Sequence, residues 1–262
     1  MSAVNHYENF PVASVLCPPR LRPPIVAIYH FARTADDIAD EGQASAEERL
    51  HLLATLKSDL LNGLQSSGPV SPHWPKMLTA LWRQIHTFDI PVTWLLALLS
   101  AFEQDVIYTR DQRKYAHRQE LLDYCERSAN PIGRLLLHLY GIEEPKALAQ
   151  SDAVCTALQL INFWQDLSVD IPRGRWYLPL DTDLKDELRF ARELMHQGAG
   201  LVHQVPGRAG WELRLVVQGG LRVLDKIVQT DPFLHRPRLN AADVALMLWR
   251  SVWMRPMPPT RG

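Results

Sequence analysis

The chain has 262 residues, 47% of them hydrophobic and 22% charged, and a formal net charge of −1. That length allows one large domain or two small ones with a sizeable core, and the charge balance lacks the basic excess of a protein that binds nucleic acid. Three dispersed cysteines, Cys17, Cys125 and Cys155, fit reduced thiols of a cytoplasmic protein better than a disulfide frame or a metal cluster.

The start, MSAVNHYENFPVAS, has neither the basic region nor the apolar run of a secretory signal. No stretch approaches the roughly 18 apolar residues that a membrane-spanning helix needs. The first predicted helix runs from about 24 to 41 and ends in ARTADDIADEG (32–42), which crowds Asp36, Asp37, Asp40 and Glu41 into its last turn. Carboxylates there face the negative end of the helix dipole, at a cost of about 0.3–1 kcal/mol each. Helical spacing puts Tyr29, Arg33 and Asp37, with Asp36 and Asp40 beside them, on one polar stripe of an otherwise apolar helix.

Helices at about 46–62, 75–86 and 91–108 follow, and the loop 63–75 is too short for a domain linker. Next come helices at about 118–129 and 132–140, separated by a break at Asn130–Pro131, and a longer one at about 145–169. That longer helix carries Asn162, Asp166 and Asp170 at intervals of four, with Gln159 one step earlier on nearly the same face, before Pro172 stops it. Helices at about 184–203, 207–229 and 240–253 complete the chain. No segment shows sustained period-two alternation and no repeat appears, so one all-α domain is expected, with a helical core at about 5–253 and a tail at 254–262. Trp249 and Trp253 with Arg250, Arg255 and Arg261 give the end an aromatic and basic character. The expectation is a last helix packed on the core with a frayed tail, and peripheral membrane contact is the alternative.

With seventeen aspartates, about one Asp-x-x-x-Asp pair arises by chance, so a single pair means little. Two pairs, both at helix C-termini and one joined by Asn162, point to divalent cations. Mg²⁺ takes one or two carboxylates together with phosphate oxygens, and two facing helices would supply two such half-sites. Arg33 on the first stripe, and Arg173 and Arg175 after the second, suit a phosphate partner. Ordinary surface ion pairing is an equal reading for Arg173.

AIYHFARTADDIAD (27–40), LLDYCERSANPIG (121–133) and LQLINFWQDLSVDIPRGRWYLP (158–179) resemble the squalene/phytoene synthase family, and the likeness runs from about 5 to 253. The resemblance implies an isoprenoid synthase fold, with helices around a central cavity and two aspartate-rich helices holding Mg²⁺ and a prenyl diphosphate. Carried over by position, Asp36 and Asp40 match the first metal-binding pair, and Asn162, Asp166 and Asp170 the second. Tyr29, Arg33, Gln159, Arg175 and Tyr177 match diphosphate-side positions, and Phe10 and Tyr124 match cavity positions. NHYENFP (5–11), SANPIG (128–133) and FWQDLSVDIPRGRWYLP (163–179) further resemble the hydroxysqualene-forming members.

That likeness implies presqualene diphosphate and water as substrates, hydroxysqualene and diphosphate as products, and association with other enzymes of squalene and hopanoid formation. Many condensing members carry Glu where this chain has Val169, which weighs against joining two prenyl diphosphates. Loss of diphosphate would leave a carbocation that needs an aromatic, apolar wall, for which Phe10, Tyr29, Tyr124 and Trp164 are candidates. Asn130, at the helix break, is the candidate for positioning water, with His6 and Tyr7 worth testing beside Phe10. No Gly-x-Gly-x-x-Gly or Walker loop suggests NADPH. The competing readings are a head-to-head condensing enzyme and a silent family member serving as an assembly factor.

Overall fold

The structure, a computed structural model, describes residues 17–65 and 70–254. Phe10, His6, Tyr7, Arg255 and Arg261 lie outside the described residues. The helices are α1 (Arg22–Asp40), α2 (Ala46–Gln65), α3 (Pro75–Phe88), α4 (Val92–Arg110), α5 (Arg118–Ser128) and α6 (Asn130–Tyr140). They continue as α7 (Pro145–Gln165), α8 (Leu167–Asp170), α9 (Leu184–Gly198), α10 (Gly207–Gln229) and α11 (Ala241–Val252). Three short 3₁₀ turns join them, and no strand occurs among the described residues.

The punctuation explains most boundaries. Proline occupies the first turn of α1, α3, α6 and α7, where a missing N–H costs nothing. Asp183 caps α9 by accepting the Asp186 N–H at 2.9 Å. Gly141, at φ +69°, ends α6 in the left-handed conformation that glycine adopts without strain.

Apolar faces pack into two main clusters. One joins α1, α2, α3, α4 and α6 through residues such as Phe31, Leu56, Leu81, Leu99 and Leu135. The other wraps α7 with α5, α9 and α10 through Leu121, Leu160, Trp164, Met195 and Leu224. The close approach of α9 to α7 requires Gly198, where a Cβ would stand 2.5 Å from the Gln150 carbonyl oxygen. The two acid-rich helix ends thus belong to different packing clusters that share one fold.

Three expected boundaries shift. The helix expected at 145–169 breaks at Asp166, and the one expected at 184–203 tightens into a 3₁₀ turn at Ala199–His203. The break at 130 is narrower than expected, since α6 starts at Asn130 itself. Helix α11 packs on α10, with Asp243 and Ser251 buried and Met247 beside Gly219, and leaves one face open.

Candidate active site

The acids that end α1 have partners. Arg33 reaches Asp36 at 2.9 Å and Asp37 at 2.8 Å. The backbone end itself is covered from α2, where Arg49 donates to the carbonyls of Ile38 (2.7 Å), Gly42 (3.1 Å) and Ala44 (3.1 Å). A guanidinium on those carbonyls offsets the dipole that the carboxylates oppose.

The second motif survives its helix break. Asp166 donates its N–H to the Asn162 carbonyl at 3.0 Å, and Asp170 donates to the Asp166 carbonyl at 2.8 Å. The four-residue ladder therefore runs through the break and keeps Asn162, Asp166 and Asp170 stacked. The chain then turns at Gly174 (φ +81°), and the Arg175 N–H returns to the Asp170 carbonyl at 3.0 Å. From there the Arg175 guanidinium grips both oxygens of Asp40, at 2.6 and 2.7 Å, and stands 3.8 Å from Asp170. One arginine thus joins the two acid motifs.

Arg236, in the segment between α10 and α11, holds both oxygens of Asp166, the Nη2 contact being 3.1 Å. That segment is tied down twice more: Ser168 donates its N–H to the Pro232 carbonyl at 3.0 Å, and Gln165 donates its side-chain amide to the Pro237 carbonyl at 2.7 Å. Nothing local in the sequence marks Arg236, which lies 70 residues from its partner.

Burial raises the Asp36 carboxyl to about 6, with Asp40 pushing it further and Arg33 opposing. Burial likewise raises Asp170 to about 6, against the pull of Arg175 and with the push of Asp166 and Asp40. Crowded, desolvated oxygen donors of this kind suit a hard divalent cation. Among the described residues no three acidic, His or Cys side chains form a ready cation cage, and the arginines hold the carboxylates instead. Asp36 and Asp40 on one side, and Asn162, Asp166 and Asp170 on the other, are two partial donor sets of the sort Mg²⁺ completes with phosphate oxygens.

Beside the acids stands an aromatic wall. Phe163 stacks on Tyr177 with centroids 3.8 Å apart and planes 9° from parallel. Tyr124 lies 6.0 Å from Phe163 and 6.2 Å from Tyr177, and Tyr115 is 6.0 Å from Tyr124. Asp105 on α4 collects the hydroxyls of both Tyr124 and Tyr177, the latter at 3.2 Å. Burial lifts its carboxyl to about 7, held back by the Tyr124 hydrogen bond and raised again by Asp40. A pocket of about 10 Å³, lined by Asp105, Tyr115, Arg175 and Tyr177 among others, has room for one water molecule. A larger cleft of about 440 Å³, lined by Cys17, Arg20, Arg22, Tyr140 and Arg208, involves none of these acids.

Of the remaining candidates, Tyr29 sits half-buried one turn before Arg33, and Gln159 half-buried one turn before Asn162. Trp164 is fully buried in the α7 core. Asn130 is also buried, and its side-chain Oδ1 accepts the Thr156 hydroxyl at 2.9 Å. Arg173 and Val169 are exposed. Asp105, Phe163 and Arg236 are the site residues that sequence reasoning missed. An acid inside the apolar helix VTWLLALLSAFEQDVIY (92–108) is the signal that could have found the first.

The squalene/phytoene synthase family model matches residues 3–187. The chain is 40% identical over 175 residues to the hydroxysqualene synthase of Zymomonas mobilis, a match covering 66% of this chain and 55% of that protein. It thus spans little more than half the length of that relative. It is 31% identical over 268 residues to the hydroxysqualene synthase of Sinorhizobium fredii, covering 93% of this chain and 87% of that one. Proteins named 15-cis-phytoene synthase and presqualene diphosphate synthase match as well. Among solved structures, the squalene synthase HpnC from Alicyclobacillus acidocaldarius superposes with a TM-score of 0.72 at 32% identity, over 86% of this chain and 89% of that chain.

Proposed function

The chain belongs to the squalene/phytoene synthase family, and from that premise we propose that it converts presqualene diphosphate and water to hydroxysqualene and diphosphate with Mg²⁺ as cofactor. One observation carries the reading: Arg175 joins Asp40 and Asp170 at one end of a site whose other side is the Phe163–Tyr177–Tyr124 wall. A charged end and an aromatic end are what a prenyl diphosphate presents in mirror image.

Asp36, Asp40, Asn162, Asp166 and Asp170 would hold a divalent cation, which would supply charge neutralisation for the leaving diphosphate. Arg33, Arg175 and Arg236 are fixed guanidinium groups that exchange carboxylate for phosphate oxygens as the substrate arrives. Departure of diphosphate takes the bonding electron pair and leaves a carbocation on the hydrocarbon. The faces of Phe163, Tyr124 and Tyr177 stabilise that charge without bonding to it. Water then forms the new C–O bond, and its proton passes to the Asp105 carboxylate, which Tyr124 and Tyr177 orient. A carboxyl near 7 accepts a proton at neutral pH and gives it back to solvent.

Incubation of the purified protein with presqualene diphosphate and Mg²⁺, without NADPH, is expected to yield hydroxysqualene. Product from farnesyl diphosphate alone would instead assign the condensing reaction. That second reading is favoured by one observation: Val169 is exposed, so the missing glutamate removes no carboxylate from the interior. The intact acid pairs argue against a silent assembly factor. A cytoplasmic protein of squalene and hopanoid formation is the setting that this reaction implies.

A further inference from the structure

Helix α11 carries an exposed apolar row. Its two buried residues are polar: Asp243 is held by Arg222 at 2.6 Å and Lys226 at 2.9 Å and closes a capping box with Asn240, and Ser251 gives its carbonyl to Arg214 at 3.3 Å. Leu246 and Met247 are half-buried, Met247 beside Gly219 of α10, while the other large apolar residues face outward. Val244, Leu248, Trp249, Val252 and Trp253 are between 48% and 63% exposed. Spacings of four place Val244, Leu248 and Val252 in one row and Trp249 and Trp253 in the next, so they form one continuous stripe.

We infer that this stripe is a seat on a lipid bilayer, with α11 lying in the plane of the membrane interface. Exposed apolar patches of this kind mark interaction surfaces, and the flanking chemistry selects lipid. Tryptophan prefers the boundary between headgroups and acyl chains, and arginine beside it meets phosphate. Arg214 lies 4.5 Å over the ring of Trp211, itself 47% exposed, and bonds to Ser251, which brings a third tryptophan to the C-terminal end of α11. Arg250 on the helix is 3.6 Å from Asp225 and still 40% exposed, so its charge remains within reach of the interface.

A second copy of the chain fits less well. Twelve residues give a helix about 18 Å long and about 10 Å wide, a footprint of roughly 200 Å². Stable protein pairs bury about 800 Å² on each partner. No helix among the described residues is long and apolar enough to cross a membrane, so the contact is one of lying on the surface.

Flotation of the full chain with phosphatidylcholine vesicles, with and without phosphatidylglycerol, tests this independently of the reaction proposed above. The expected result is binding to both, stronger on the anionic vesicles. The double variant Trp249→Glu/Trp253→Glu should lose at least about tenfold in bound fraction. The single variant Leu248→Glu should weaken binding in the same direction, with helical content unchanged for both by circular dichroism. Absence of flotation, or flotation unchanged in the variants, overturns the inference. A concentration-dependent dimer that these variants dissolve, with no vesicle binding, overturns it too and assigns the face to a second copy.

Discussion

Arg175 holds Asp40 through both terminal nitrogens, at 2.7 and 2.6 Å, while standing 3.8 Å from Asp170. A planar fork matched to a carboxylate is a geometry that an ammonium cannot copy. Arg175→Ala should therefore lower kcat/KM on presqualene diphosphate by about 10²-fold or more, and Arg175→Lys should recover only part of it. Steady-state kinetics of both variants check this, and equal activity of Lys and Arg would show that only the charge matters.

Asp36→Asn and Asp166→Asn should each lower turnover by about 10²-fold or more while leaving the helical signal in circular dichroism intact. Removing divalent cations with a chelator should abolish turnover in the parent protein and leave its helical content unchanged, since arginines already partner these carboxylates. Full activity in either variant would refute the metal assignment.

Asp105→Asn keeps the shape of the side chain and removes its capacity to take a proton. The expected outcome is a lower ratio of alcohol to olefin among the products at nearly unchanged release of diphosphate, read by gas chromatography. If the parent protein makes hydroxysqualene and the variant keeps the same product ratio, Asp105 is not the acceptor.

The raised carboxyls also set a pH dependence. Asp105 near 7, and Asp36 and Asp170 near 6, all bind protons more readily in the folded chain than an ordinary aspartate near 4. Their contribution to stability is complete below about 4 and lost as pH rises through about 6 to 7. Thermal melts without divalent cation should therefore show Tm falling over that range. Saturating Mg²⁺, which binds the ionised forms, should reverse the slope.

The acid motifs were legible because helical spacing makes i and i+4 neighbours without any tertiary information. Arg33 sits on the same stripe, and Arg175 lies just past the second motif's stop, so both could be named from local pattern. Arg236 could not, since it reaches the site from a connecting segment only through folding, and Asp105 left one local trace, an acid in a largely apolar helix. The break at Asp166 carries no Gly or Pro at its own position, and the Ser168 N–H finds its partner at Pro232 only in three dimensions. Trp164 took the place that an aromatic on a helix has by default, in the core.

The segment 231–237 is lashed to the second acid motif at three points, through Ser168, Gln165 and Asp166. Only two residues separate Pro237 from Asn240, the cap of α11. Asp166 and the outward helix are therefore two ends of a short strap. The segment that carries Arg236 to Asp166 is thus the same one that sets where the outward helix begins.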